Sequence, residues 1–148
     1  MHIRRALLES LRTQLKTLSG YGGVWIKRTE PTQNLAKTIT LFDENEDIET
    51  LLIHEPARPQ DRALLVSVIG WVRGAVDSEK IEADLDAVAL DIETKLRVPT
   101  TAVGGLQVCT DMSLVGSNKQ VSETQADLSS ITLSYRIDYQ TMEFTPSV

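Results

Sequence analysis

Ile131-Thr132-Leu133-Ser134-Tyr135-Arg136-Ile137-Asp138-Tyr139-Gln140 alternates without a slip. Ile131, Leu133, Tyr135, Ile137 and Tyr139 share one side; Thr132, Ser134, Arg136, Asp138 and Gln140 share the other. Successive side chains of a strand point to opposite faces, so this period of two marks a β-strand with one face on a core and one in water. A sheet built on such a strand needs something to cover its apolar face.

Two other stretches have the period that could provide the cover. Ile3, Leu7, Leu11, Leu15 and Leu18 recur every three or four residues, which predicts an amphipathic helix over about Ile3–Leu18. Ser19-Gly20 ends it, and Gly20, Gly22 and Gly23 form a turn around Tyr21. Asp77-Ser78 caps a second helix running to about Arg97, with Ile81, Leu85, Val88, Ile92 and Leu96 as its stripe. Its first turns carry Glu79, Glu82 and Asp84 and its last Lys95 and Arg97, which complements the helix dipole, and Pro99 stops it.

The remaining strands lie between and after the helices. Val24–Lys27 has high β propensity, Arg28–Lys37 reads as a loop, and Thr38–Phe42 alternates. Asp43-Glu44-Asn45-Glu46-Asp47 is expected to be a projecting acidic turn, with Ile48–His54 as a returning arm closed off by Pro56 and Pro59. Arg62–Arg73 is apolar on both faces, which places it centrally in the sheet with one face under a helix. Leu106–Val115 alternates again, Val98–Gly105 and Gly116–Asp127 read as polar loops, and Phe144–Val148 as a fraying tail. The order α-β-β-β-β-α-β-β has no internal repeat. It predicts an α+β fold, a mostly antiparallel sheet with two main helices packed on it, in a single domain spanning 1–148.

Composition narrows the function. A chain of 148 residues can bury roughly 68–70% of its unfolded surface, so one core suffices without metal or disulfide. No apolar run approaches the roughly 20 residues of a membrane span, and Met1-His2-Ile3-Arg4-Arg5 does not open a signal peptide. Cys109 is the sole cysteine, which excludes a disulfide framework or a cysteine-built metal site. The net charge of −6 and pI near 4.9 argue against a dedicated nucleic-acid binder. That charge is unevenly spread: residues 1–37 hold seven basic and two acidic residues, net +5, and the other 111 carry −11. Such a split is either a chance asymmetry on a solvated surface, the reading charge alone favours, or a device for head-to-tail self-association.

The catalytic templates fail one by one. Cys109 has no nucleophile elbow and His54 sits in a loop, so neither assembles a nucleophile with its base. Gly20-Tyr21-Gly22-Gly23 follows a helix, whereas phosphates bind at helix N-termini. The Asp43–Glu49 run lacks the central glycine of a Ca²⁺ loop. Asp84, Asp86, Asp91 and Glu93 read as the wetted face of the second helix, and Trp25 and Trp71 as core or interface anchors. The chain is expected to be no enzyme and to need no cofactor or metal.

The order of elements resembles a known family. The segments that carry the resemblance are the Ile3-x-x-Ala6-Leu7-x-x-x-Leu11 helix, Val24-Trp25, and a short strand leading into an acidic turn. They continue with Arg62-Ala63-Leu64-Leu65-Val66-Ser67-Val68, Leu85-Asp86-x-Val88-Ala89-x-x-Ile92-Glu93 and the closing Leu133-to-Thr141 strand. Together they resemble the tail terminator (tail-completion, or minor tail) proteins of long-tailed bacteriophages, over almost the whole chain. Asn34-Leu35-Ala36 stands where that family usually carries a Leu-Pro pair.

The resemblance implies a virion part: a ring, commonly a hexamer, that caps the tail tube, ends tube polymerisation and offers a surface to the head–tail connector. Its partners would be further copies of itself, the tube protein and the connector, with DNA only passing through. Six copies would carry about −36, an acidic lining to which DNA would not adhere. At the subunit interface Arg4, Arg5 or Arg12 is expected to meet Asp43, Glu44, Glu46 or Asp47 of a neighbour, and the two polar loops to reach the tube or connector. A neck protein of the same particle, or a small cytosolic binding or adaptor domain, are the competing readings.

Overall fold

The computed structural model describes residues 2–31, 35–50, 59–74, 78–96, 102–103, 106–107, 109–121 and 128–142. In chain order the elements are α1 (Ile3–Leu15), β1 (Val24–Ile26), β2 (Lys37–Thr50), β3 (Pro59–Arg73), α2 (Ser78–Lys95), β4 (Ala102–Val103), β5 (Leu106–Gln107), β6 (Cys109–Gln120) and β7 (Leu128–Met142). β1-β2-β3-β7-β6 form one sheet, antiparallel except for the parallel β1–β2 pair, and β4 and β5 form a separate two-stranded ladder. This is the expected α+β domain, with both helices on one face of the sheet.

The closing strand pairs with β3 in an unbroken ladder from Pro59↔Met142 to Arg73↔Leu128. Ile131, Leu133, Tyr135, Ile137 and Tyr139 are all buried, as their alternation predicts. β3 occupies the centre of the sheet, and its proline stands at the first position, where a missing N–H costs no ladder bond. Gly70 lets α2 settle directly on β3: a Cβ there would lie 2.2 Å from Val88 Cγ1.

The helix stripes are buried as predicted. Leu7, Leu11 and Leu15 of α1 and Leu85, Val88 and Ile92 of α2 have no exposed surface, and each removed from water contributes about 1.5–3 kcal/mol. α1 ends at Leu15, and Leu18 packs beyond it in the following turn. Gly20, at φ +86°, takes the left-handed conformation that breaks the chain away from the helix. Tyr21 then donates to Asp91 Oδ2 at 2.8 Å, tying this turn to α2.

The structure corrects the sequence expectations in the acidic run and in both polar loops. Asp43–Asp47 is not a turn: β2 runs through it, paired with β3 from Lys37↔Val72 to Thr50↔Gln60, and Ile48–Thr50, expected to begin a returning arm, continue the same strand. Charge alone misled, because a strand can sort its charges by face. A bulge between Asp43 and Asn45 sets Glu44 aside; Asp47 and Glu49 point to the uncovered face, and Glu46 turns to the helix side, where Arg62 meets it. Gly116–Gln120, read as the start of a loop, is the second half of β6. Ser113 to Gln120 are exposed throughout, so no hydrophobic period marks this strand; its backbone ladder to β7 defines it. Ala102–Val103, expected within the first polar loop, form β4, while 98–101, 104–105 and 122–127 of the two loops, His54, Pro56, Pro99 and the tail from residue 143 lie outside the described residues.

Candidate assembly surface

The cationic end of the chain is organised on α1 and β1. Glu9 bridges two arginines on the surface of α1: Arg5 donates to it at 2.9 Å, and Arg12 bonds its other oxygen. Arg4 and Arg5, with His2, Leu8, Ile26 and Asp43, line a shallow depression between α1 and the sheet. Past β1, Arg28 donates to the carbonyl of Asp43 and stacks over Phe42, 4.8 Å from the ring centre. The structure therefore brings Arg4, Arg5 and Asp43 together within one chain.

The acidic residues divide into two sets. Glu46 is deeply buried and fully engaged: Arg62 donates to one oxygen at 2.8 Å and the Tyr139 hydroxyl to the other. Arg62 also donates to Gln60 Oε1 at 2.9 Å. Burial and the donated bond to Glu46 hold the Tyr139 phenol well above the ordinary tyrosine range. Apolar replacement of such a buried pair is often neutral, whereas removal of one partner leaves the other's charge stranded. Sequence reading missed this cluster; its partners are 16 and 93 positions apart, and only the ladder unites them.

The second set lies on the sheet face that neither helix covers. Register places Asp47, Glu49, Asp61 and Asp138 together there, around the small side chain of Ala63. They border an open concavity of about 460 Å³. Arg136 pairs with Asp138 at 3.0 Å, and Gln140 donates to Asp61 at 2.7 Å. Above this acidic end the face shows the partly exposed Thr132 and Ser134 and the half-buried Leu65, Ile69 and Trp71, with Thr40 and Ser67 buried among them. Trp71 donates its indole N–H to Thr40 Oγ1 at 2.8 Å, and Ser67 donates to Glu44 at 2.8 Å.

Chemistry has little to work with here. Among the described residues no three His, Cys, Asp or Glu side chains are placed to hold a metal ion. Nor is any described helix long and apolar enough to cross a membrane.

No family model matches this chain, and no curated protein matches it in sequence. Among solved structures, a chain from the virion of a native gene transfer agent particle superimposes on it with a TM-score of 0.52 at 15% identity. The alignment takes in 95% of this chain and 96% of that one. The two share a fold.

Proposed function

We propose that this chain is a structural protein of a phage-like virion, acting by assembly and not by catalysis. The observation that carries the reading is the end-to-end fold match to a virion chain. The finer reading is a terminator: a ring of copies, six by the family resemblance, seated on the head-proximal end of a tail tube. There it stops polymerisation and presents a surface to the head–tail connector.

The distribution of charge supports that role. A ring through which DNA passes needs a lumen that does not bind phosphate, and an acidic sheet face meets that need. We place the uncovered face, with Asp47, Glu49, Asp61 and Asp138, toward the channel. The basic side of α1, with Arg4, Arg5 and Arg12, forms one side of the joint between copies. Joining one patch to a different patch of the next copy closes into a ring when the rotation per subunit divides a circle.

Negative-stain microscopy and sedimentation velocity across a concentration series test the reading. Rings of uniform diameter are the expected result, and Arg5→Glu with Arg12→Glu should lower their yield. A protein that stays monomeric at its highest soluble concentration and does not cap isolated tail tubes would refute it.

A further inference from the structure

The sheet has two open borders among the described residues, and they are unlike. On one side β2 continues past the three residues of β1, so its stretch from Asp43 to Thr50 has no outer partner. That border is defended by charge, with Asp43, Glu44, Glu46, Asp47 and Glu49 in eight positions, and Arg28 occupies the Asp43 carbonyl. On the other side β6 presents twelve residues, of which Ser113 to Gln120 are exposed on both faces. Between Asp111 and Lys119 it carries no charge and no proline, and it shows Leu114 and Val115 to solvent at 41% and 54% exposure. Natural edge strands normally avoid such a bare, partly apolar border because its unpaired amides and carbonyls template pairing with another chain.

Three features favour a second copy as the occupant. First, β2, β3, β7 and β6 alternate in direction. A head-to-tail repeat therefore sets β6 beside the next copy's β1 and β2 with antiparallel polarity. Second, the levels agree. Following register across the sheet, Ser117, Asn118 and Lys119 of β6 stand level with Ile26, Trp25 and Val24 of β1. Third, the helix layer is complementary in charge. α1 packs over β1 and β2, at the charged border. α2 packs over β3 and β7, and its Asp86 reaches Lys119 of β6 at 2.5 Å. An edge-to-edge joint therefore places Arg4, Arg5 and Arg12 of one copy beside the exposed Glu82, Asp86 and Glu93 of its neighbour.

We propose that the free edge of β6 pairs with the β1 edge of a second copy, with the basic α1 of that copy seated against the acidic α2. The proposal rests on the ring reading and gives it a joint. It also reassigns the acidic half of the contact. Asp43, Glu44, Glu46 and Asp47 belong to the same border as the arginines, so in this joint the acidic partner across from them is α2.

Val115→Lys with Ser117→Lys places two charges on the bare edge at exposed positions, so folding by circular dichroism and thermal melting should be unchanged. The oligomer fraction in sedimentation velocity should fall at least fivefold. In hydrogen exchange, assembly should slow the amides of both β6 and β1. Arg5→Glu with Arg12→Glu should weaken assembly, and adding Glu82→Lys and Glu93→Lys should restore it. If wild-type rings form and the lysine variant forms them equally well, the edge pairing is wrong while the ring reading stands. Protection on β6 alone, or a species of two copies that grows no further, overturns it as well, since both mean β6 has another occupant. Failure of the charge swap to rescue overturns the α1–α2 contact. A wild-type protein that never self-associates overturns the ring reading, and this joint with it.

Discussion

Gly70→Ala is the sharpest test of how α2 is held on the sheet. A Cβ at that position would sit 2.2 Å from Val88 Cγ1, 3.4 Å from Ile92 Cδ1 and 3.5 Å from Ile131 Cγ2. Carbon atoms pack best at about 3.5–4.0 Å, so the last two contacts are tolerable and the first requires a shift of more than about 1 Å. Val88 is fully buried and β-branched, which leaves it essentially one χ1 rotamer in a helix, so the helix itself must move. Overpacking of this kind costs about 1–3 kcal/mol, against which alanine recovers about 0.5–1 kcal/mol of glycine's backbone entropy in a strand. The expected net loss is about 1–2 kcal/mol, read as a lower urea midpoint at unchanged m-value, or a fall of about 2–8 °C in Tm. Val88→Ala alone removes two methyl groups and should cost on the order of 1.5 kcal/mol. In the double variant the new methyl takes the vacated space, so the two losses should combine to less than their sum by at least about 1 kcal/mol. Additive losses, or a Gly70→Ala protein as stable as wild type, would refute the close approach of α2 to β3.

Three further outcomes follow from the titrating groups and the buried cluster. All three tyrosines are held above the ordinary value: Tyr21 and Tyr139 chiefly by burial and then by donating to Asp91 and Glu46, and Tyr135 pushed up to about 12 by burial and the nearby Glu93. Since the unfolded phenols ionise near pH 10, this stability is intact below that pH and is lost as pH rises toward the native values. Tyrosinate absorbance should therefore appear together with unfolding, and a phenol titrating near 10 in the folded protein would contradict the packing. His2 caps α1 by accepting from the Arg4 N–H at 3.1 Å, and burial together with the Arg4 charge lowers its pKa below 6.5. Its contribution is present above about pH 6.5 and disappears as pH falls through the lowered native value; His2→Asn keeps an acceptor and should flatten that slope in pH-dependent melts. Arg62→Met strands Glu46 in a buried site and should cost about 3–5 kcal/mol in denaturant titrations, with Glu46→Met added to it recovering part of the loss.

Periodicity exposed the fold wherever one face of an element was dry. The stripes of α1 and α2 and the alternation of Ile131–Tyr139 all report a boundary between core and water, and all were legible. The apolar character of Arg62–Arg73 likewise revealed its central place. Ser113–Gln120 carried no such signal because both its faces are wet, and Asp43–Asp47 carried a false one because its charges are divided between two faces and a bulge. On the candidate surface, the individual arginines could be read, but their borders could not. That α1 stands with the acidic strand and α2 with the bare one depends on strand order, which local pattern does not encode. The Arg62–Glu46–Tyr139 cluster was invisible for the same reason.

The unbroken β3–β7 ladder also governs how the chain reaches its native state. β2–β3 closes between Thr50 and Gln60, and β6–β7 between Gln120 and Ser130, so each is a hairpin that can form locally. The β3–β7 seam has no such short route: its nearest pair in sequence, Arg73 with Leu128, closes a loop that contains α2. Loop-closure entropy must be met before the fifteen-residue seam repays it, so closing that seam is the least local step of folding. Until it closes, each half exposes a bare strand on both sides. The β6 border, bare in the folded chain as well, is the edge that the proposed joint between copies would cover.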